Sequence, residues 1–87
     1  MPFVYILQNN LGRFYVGSTD NLERRLKHHD GGHTPSTKRL GLMRLVLFQE
    51  YQTLSEARLV ESKLKKLKRK DYIAKMVQDG FIRIKPR

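Results

Sequence analysis

Tyr5 and Tyr15 stand ten residues apart and are followed by Arg25, His29 and, much later, Glu61. Together they offer two phenols, a permanent positive charge, an imidazole that titrates near neutrality and a carboxylate. Such groups move protons and stabilise charge when a fold brings them to one place. Each also has an ordinary structural explanation, so the elements that carry them decide how they are read.

Val4 to Leu7 is a short apolar run with branched and aromatic members, the pattern of a strand. Asn9-Asn10-Leu11-Gly12 is turn chemistry, and Phe14 to Val16 reads as a second strand, which predicts an antiparallel hairpin. Asp20 followed by Glu23 has the form of a capping pair, so a helix is expected from Thr19 or Asp20 to before Gly31-Gly32. Residues 33–43 show no period and read as a loop. Leu45 to Phe48 predicts a third strand, a candidate for the buried centre of a sheet. Thr53-Leu54-Ser55-Glu56 is a capping box ahead of a helix to about Arg69, with an apolar stripe of Ala57, Val60, Leu64 and Leu67. Asp71 is placed to cap a further helix carrying Tyr72, Ile73, Met76 and Val77, which Gly80 ends. Phe81 to Lys85 alternates apolar and basic residues, as a short strand or an ordered tail does. The expected fold is α+β: a small three-stranded antiparallel sheet covered by helices, in one domain over residues 1–87.

These elements place the reactive side chains. On the first helix, Arg25 and His29 fall within about 60° of Leu22 and share the face of Leu22 and Leu26. A charged group at the edge of a core face needs a partner or a task. The plain alternative is a snorkelling arginine and a satisfied histidine. Glu61 lies about 80° from the centre of its helix's apolar stripe, at the margin. It either enters a cleft or simply pairs with Lys65 one turn on. Strand alternation puts Tyr5 and Tyr15 on the face opposite Val4, Ile6, Phe14 and Val16. His28, His29 and His33 do not read as a zinc site, because Gly31-Gly32 interrupts them and the chain has no cysteine.

Charge is the strongest compositional signal. Eighteen Lys and Arg oppose eight Asp and Glu in 87 residues, a formal net charge of +10. Such a chain attracts polyanions, nucleic acid above all. The densest basic run is Lys63, Lys65, Lys66, Lys68, Arg69 and Lys70, which reads either as a solvated helix face or as a set of phosphate contacts. No apolar run approaches the roughly 20 residues of a membrane helix. The N-terminus lacks the marks of a signal peptide, and the absence of cysteine fits a reducing compartment, so a cytoplasmic location without membrane association is expected.

Taken in order, these segments resemble a GIY-YIG nuclease domain over nearly the whole chain. Phe3-Val4-Tyr5 stands at the first motif, with Tyr5 at its tyrosine, and Tyr15-Val16-Gly17 is the second. Asn21-Leu22-x-x-Arg25 matches the segment that follows, with His29 at the histidine four residues on and Gly32 after the helix. Leu45 to Glu50 resembles the third strand. Ala57-x-x-x-Glu61-x-x-x-Lys65, ending near Arg69, resembles the helix that supplies a metal-binding glutamate. The likeness is greatest to small stand-alone members. Two departures stand out. Phe3 and Val4 replace Gly and Ile of the first motif, and no asparagine occurs after position 21, where many active members carry one late in the domain.

The resemblance implies hydrolysis of a DNA phosphodiester, on single-stranded or branched DNA in repair or processing. It implies one divalent ion, Mg2+ or Mn2+, held by Glu61 as the only protein carboxylate. It gives Arg25 the charge on the phosphate, Tyr5 the proton of the attacking water, and Tyr15 and His29 the support of that phenol. For Tyr5 to act as a base, a nearby cation must lower its ordinary pKa of about 10. The alternatives are a catalytically weak or inactive nucleic-acid-binding module of the same fold and a basic structural protein with no site. The last leaves Arg25 and His29 on a core face unexplained.

Overall fold

In the computed structural model, which describes residues 1–25, 43–67 and 69–86, three strands and two helices follow one another as β1 (Phe3–Asn9), β2 (Phe14–Thr19), β3 (Met43–Glu50), α1 (Leu54–Leu67) and α2 (Lys70–Asp79). Residues 22–25 form a further helical turn. Leu26, His28, His29, Gly31-Gly32, His33, the 33–42 part of the expected loop and Lys68 lie outside the described residues.

The hairpin forms as its turn chemistry predicts. Asn9 is buried, and its Oδ1 accepts from the backbone N–H of Leu11 at 3.0 Å and of Arg13 at 2.9 Å. Gly12 takes the left-handed backbone at φ 84° that closes the turn. The sheet order is β2-β1-β3, antiparallel throughout. The centre of the sheet is therefore β1, and β3 is at an edge, contrary to the expectation drawn from Leu45 to Phe48. The reason is a register shift opposite Ile6 and Leu7: Leu47 pairs with Ile6 and Leu45 with Leu7, leaving Val46 as an extra residue. Four successive apolar residues thus reflect a bulge rather than burial on both faces, and Phe48 is half exposed.

β1 is the strand buried on both faces, with Val4 to Leu7 all covered. Val4 and Ile6 join Leu47, Ala57, Val60, Leu64, Ile73, Met76 and Ile82 in one core beneath the helices. The fully buried Val4, Ile6, Val60 and Leu64 each contribute about 1.5–3 kcal/mol. Tyr5 and Leu7 are buried on the other face, outside that core. There Phe3, Leu45 and Phe48 line a hollow with Leu22 of the helical turn.

The caps differ from expectation at two places. The first helical turn is capped by Asn21, whose Oδ1 accepts from Arg24 N–H at 2.9 Å. Asp20 instead pairs with the Arg24 guanidinium at 3.2 Å, because Thr19 Oγ1 accepts from Asn21 N–H and turns the chain one residue later. At α2 the cap position is Arg69, without a side-chain cap, and Asp71 sits inside the first turn holding Arg69 by two hydrogen bonds. The capping box at α1 is present, with Glu56 N–H donating to Thr53 Oγ1 at 3.1 Å, and the helix spans Leu54–Leu67. Gly80 ends α2 in the left-handed conformation. Residues 81–86 form no strand. Gln49 fastens them by exchanging hydrogen bonds with the backbone of Ile82, which makes them an ordered tail.

Candidate active site

The hairpin register aligns Tyr5 with Gly17 and Leu7 with Tyr15. Tyr5, Leu7, Tyr15 and Gly17 therefore share one face, and Val4, Ile6, Val16 and Ser18 the other. Gly17 matters because it has no side chain. A Cβ there would lie 3.0 Å from Cε2 of Tyr5 and closer still to Cζ and Oη. The Tyr5 ring thus occupies the space above the Gly17 backbone and carries its phenol across the edge strand β2.

At that edge the two faces of the sheet meet. Ser18, on the helix side of β2, donates from Oγ to Glu61 Oε1 of α1. Lys65, one turn farther along α1, donates to Glu61 Oε2 at 2.6 Å. Arg25 arrives on the helical turn over the opposite face, and its charge, with those of Glu61 and Lys65, acts on the Tyr5 phenol. Tyr5, Arg25 and Glu61 come from three separate elements, and the charges of Arg25 and Glu61 both act on the Tyr5 phenol. Tyr15 stands two residues along β2, beside the same edge.

The electrostatics of the two central groups are opposite. Burial pushes the Tyr5 phenol above its ordinary pKa of 10.0; Arg25 and Lys65 pull it down, Glu61 pushes it up, and burial prevails. The lowered pKa that a Tyr5 base requires is thus not present: Arg25 is near enough to act but too weak against desolvation. Glu61 goes the other way. Burial alone would raise it, but hydrogen bonds from Lys65 and Ser18 and the charges of Lys65 and Arg58 together hold it below the ordinary value. Glu61 is therefore an anion at neutral pH.

Glu61 is the carboxylate at this point, and no three His, Cys, Asp or Glu side chains gather to hold a metal among the described residues. One ionised carboxylate beside a serine hydroxyl on a water-accessible edge fits a hard cation that keeps most of its water shell and shares phosphate oxygens, as Mg2+ does. It does not fit zinc, which needs several converging ligands.

A groove of about 570 Å³ runs from this edge between β2 and the helices, within the range of roughly 300–1,000 Å³ common to ligand sites. Its floor is apolar: Phe14, Val16, Leu64 and Ile73. Its rim carries Arg13, Lys65, Arg69 and Lys70, and Tyr15 forms one wall. Lys70 Nζ reaches the hairpin turn, 3.4 Å from where a Gly12 Cβ would be. Arg69 lies 4.3 Å over the Tyr72 ring while bonded to Asp71.

The basic run is thus divided by the helices that carry it. Lys65, Arg69 and Lys70 line the groove. Lys63 turns away and donates to the Lys85 carbonyl at 3.0 Å, and Lys66 is exposed but not part of the groove lining. Arg13 and Ser18 escaped the sequence reading. Arg13 is a lone cation in a turn, and only the packing of α2 against the hairpin gives it neighbours. Ser18 carried a usable signal: it follows Gly17 in a strand and must face away from Tyr5, toward the covering helix.

Among known proteins, residues 1–75 match the family model described as the GIY-YIG catalytic domain. The UPF0213 protein CPE1444 of Clostridium perfringens is 39% identical over 70 residues, 79% of this chain and 75% of that one. The UPF0213 protein lmo0166 of Listeria monocytogenes is 34% identical over 77 residues, 87% and 86% of the two chains. The solution NMR structure of the UPF0213 protein BH0048 from Bacillus halodurans superposes with a TM-score of 0.58 at 32% identity, covering 92% of this chain and 87% of that one.

Two outcomes follow from this geometry. Gly17→Ala forces the Tyr5 ring from its seat and lowers stability by about 1–3 kcal/mol, the usual cost of overpacking, as urea unfolding will measure. In ultraviolet titration, the phenol lost in Tyr5→Phe ionises above pH 10.0. Its transition moves down in Glu61→Gln and up in Arg25→Ala. Because the folded pKa is raised, the stability from burying this neutral phenol is full below the unfolded value of about 10 and is lost as pH rises through the folded one.

Proposed function

Since this chain belongs to the GIY-YIG catalytic-domain family, a nuclease family, we propose that it is a metal-dependent endonuclease that hydrolyses DNA phosphodiester bonds at the outer edge of β2. What supports the reading is that Ser18 of β2 holds Glu61 of α1 while the charges of Arg25 and Glu61 both act on the Tyr5 phenol, so that three elements contribute to one electrostatic unit.

Members of the family generally use a divalent ion. Glu61 would hold Mg2+ or Mn2+, whose charge, when bound, offsets that developing on phosphate and leaving oxygen. Arg25 supports the phosphate oxygens with its forked, permanently charged guanidinium. Once ionised, the Tyr5 phenolate takes the proton of the attacking water. Its phenol is neutral at rest, so its ionisation depends on added positive charge nearby, and the balance among burial, Arg25 and Glu61 sets how much is needed. Tyr15 and His29 keep the supporting roles that the family pattern assigns them. The scissile strand lies in the groove, its phosphates against Arg13, Lys65, Arg69 and Lys70. An apolar floor below a cationic rim suits an unpaired or branched strand, whose bases are free to turn toward it.

The raised Tyr5 pKa favours a second reading, a nucleic-acid-binding module with weak or no cleavage. The absence of any asparagine after position 21 points the same way. The test incubates the protein with single-stranded, nicked, flapped and duplex DNA, with Mg2+ or Mn2+ and with chelator. Metal-dependent cleavage that disappears in Glu61→Gln, with DNA binding kept, supports the nuclease; binding without cleavage on every substrate selects the module.

The groove makes a separate prediction. Arg13→Ala and Lys70→Ala each reduce the slope of log affinity against log salt by about 0.9 on duplex or about 0.7 on single strands. Lys63→Ala leaves it unchanged, because that ammonium is turned toward the C-terminal segment. Fluorescence anisotropy over a salt series measures all three.

A further inference from the structure

Lys65 belongs to two clusters at once. Its Nζ lies 2.6 Å from Glu61 Oε2, and its side chain also lines the groove beside Arg69 and Lys70. Glu61 is held on both oxygens, by Ser18 on Oε1 and by Lys65 on Oε2. The two holders differ in kind. Ser18 is a short side chain fixed on a strand, and its neutral hydroxyl leaves the carboxylate its charge. Lys65 brings a full positive charge to the other carboxylate oxygen, Oε2, and it does so on a flexible stem that is 57% exposed. The pair joins residues one helical turn apart and is open to water on its lysine side, so the ammonium can be exchanged without moving Glu61 or Ser18.

We propose that Lys65 is an exchangeable counter-ion of Glu61. Without a divalent ion it neutralises the carboxylate; when an ion takes Glu61, the ammonium is released to a phosphate in the groove. This inference rests on the reading of Glu61 as the metal ligand. It requires that the free protein bind a divalent ion weakly, because Lys65 must be displaced. It also requires that ion and nucleic acid strengthen one another, since each removes Lys65 or Glu61 from the pair that opposes the other. By linkage the factor is the same in both directions.

The experiment measures Mn2+ binding to the free protein, by electron paramagnetic resonance of unbound Mn2+, in wild type, Lys65→Met, Arg58→Met and Glu61→Gln. Methionine keeps an unbranched stem and helix propensity, and circular dichroism checks each fold. Arg58 serves as the control because Glu61 feels its charge without bonding to it. Lys65→Met is expected to bind Mn2+ at least about fivefold more tightly, the lower end of ordinary site-to-site coupling. Arg58→Met, acting through screened solvent, gains less than about twofold. Anisotropy with a phosphorothioate oligothymidylate, chosen to resist cleavage, then gives the coupling: the gain in affinity on adding Mn2+ is larger in wild type than in Lys65→Met. Equal Mn2+ binding by wild type and Lys65→Met, or equal gains in the two charge-removal variants, overturns the exchange. Undiminished Mn2+ binding by Glu61→Gln overturns the metal-ligand reading as well, whereas its loss without tightening in Lys65→Met overturns the exchange alone.

Discussion

The site depends on one steric fact: Tyr5 lies across the backbone of Gly17. By strand alternation Tyr5 points away from the helix-covered core, while Glu61 rides on a helix that covers it. The two groups would be separated by the sheet if the ring stood upright. With no side chain at position 17 the ring lies flat across β2 and its phenol reaches the rim. Because β2 is an edge strand, the rim joins both faces. Ser18 next in sequence turns the other way and takes hold of Glu61. Two adjacent residues, one without a side chain and one with a short hydroxyl, thus connect the opposite sides of the sheet.

The same edge sets the electrostatics. A phenol and a carboxylate are both partly buried here, and the charge of Glu61 disfavours the phenolate of Tyr5. Desolvation keeps Tyr5 neutral. Glu61 stays ionised because it has direct hydrogen bonds from Lys65 and Ser18, whereas Arg25 acts on Tyr5 too weakly to overcome burial. The outcome is a resting site with one defined anion and a neutral proton-carrying group beside it. Positive charge from Lys65 and Arg58 acts on that anion and continues along the groove, where Arg13, Arg69 and Lys70 are among the lining residues and Lys70 reaches the hairpin turn.

Much of the fold was legible because it is local. Asn9 and Gly12 specify their turn through hydrogen bonds and a left-handed backbone, Thr53 and Glu56 specify the start of α1, and Gly80 specifies the end of α2. The failures are competitions between neighbours that local patterns do not rank. Asp20 had a capping partner in sequence, yet Thr19 turned the chain so that Asn21 took the position. Asp71 looked like a cap and became the partner of Arg69. The apolar run in β3 looked like a strand buried on both faces and proved to be an edge strand with a bulge.

For the site, the identities of Tyr5, Tyr15, Arg25, His29 and Glu61 and the likeness of their spacing to the GIY-YIG pattern could be read from the chain alone, since chemistry and order along a polymer are one-dimensional facts. Which of the six clustered basic residues faces the groove could not. Lys63 and Lys65 are two residues apart on one helix and point to different surroundings, because a helix turns about 100° per residue and only the packed sheet defines which direction is inward. Likewise no spacing announces that Arg13 and Lys70 are neighbours, or that Ser18 meets Glu61 across 43 residues. Those contacts exist because burial of the apolar faces of α1 and α2 brings distant segments together, and that burial is a property of the folded chain as a whole.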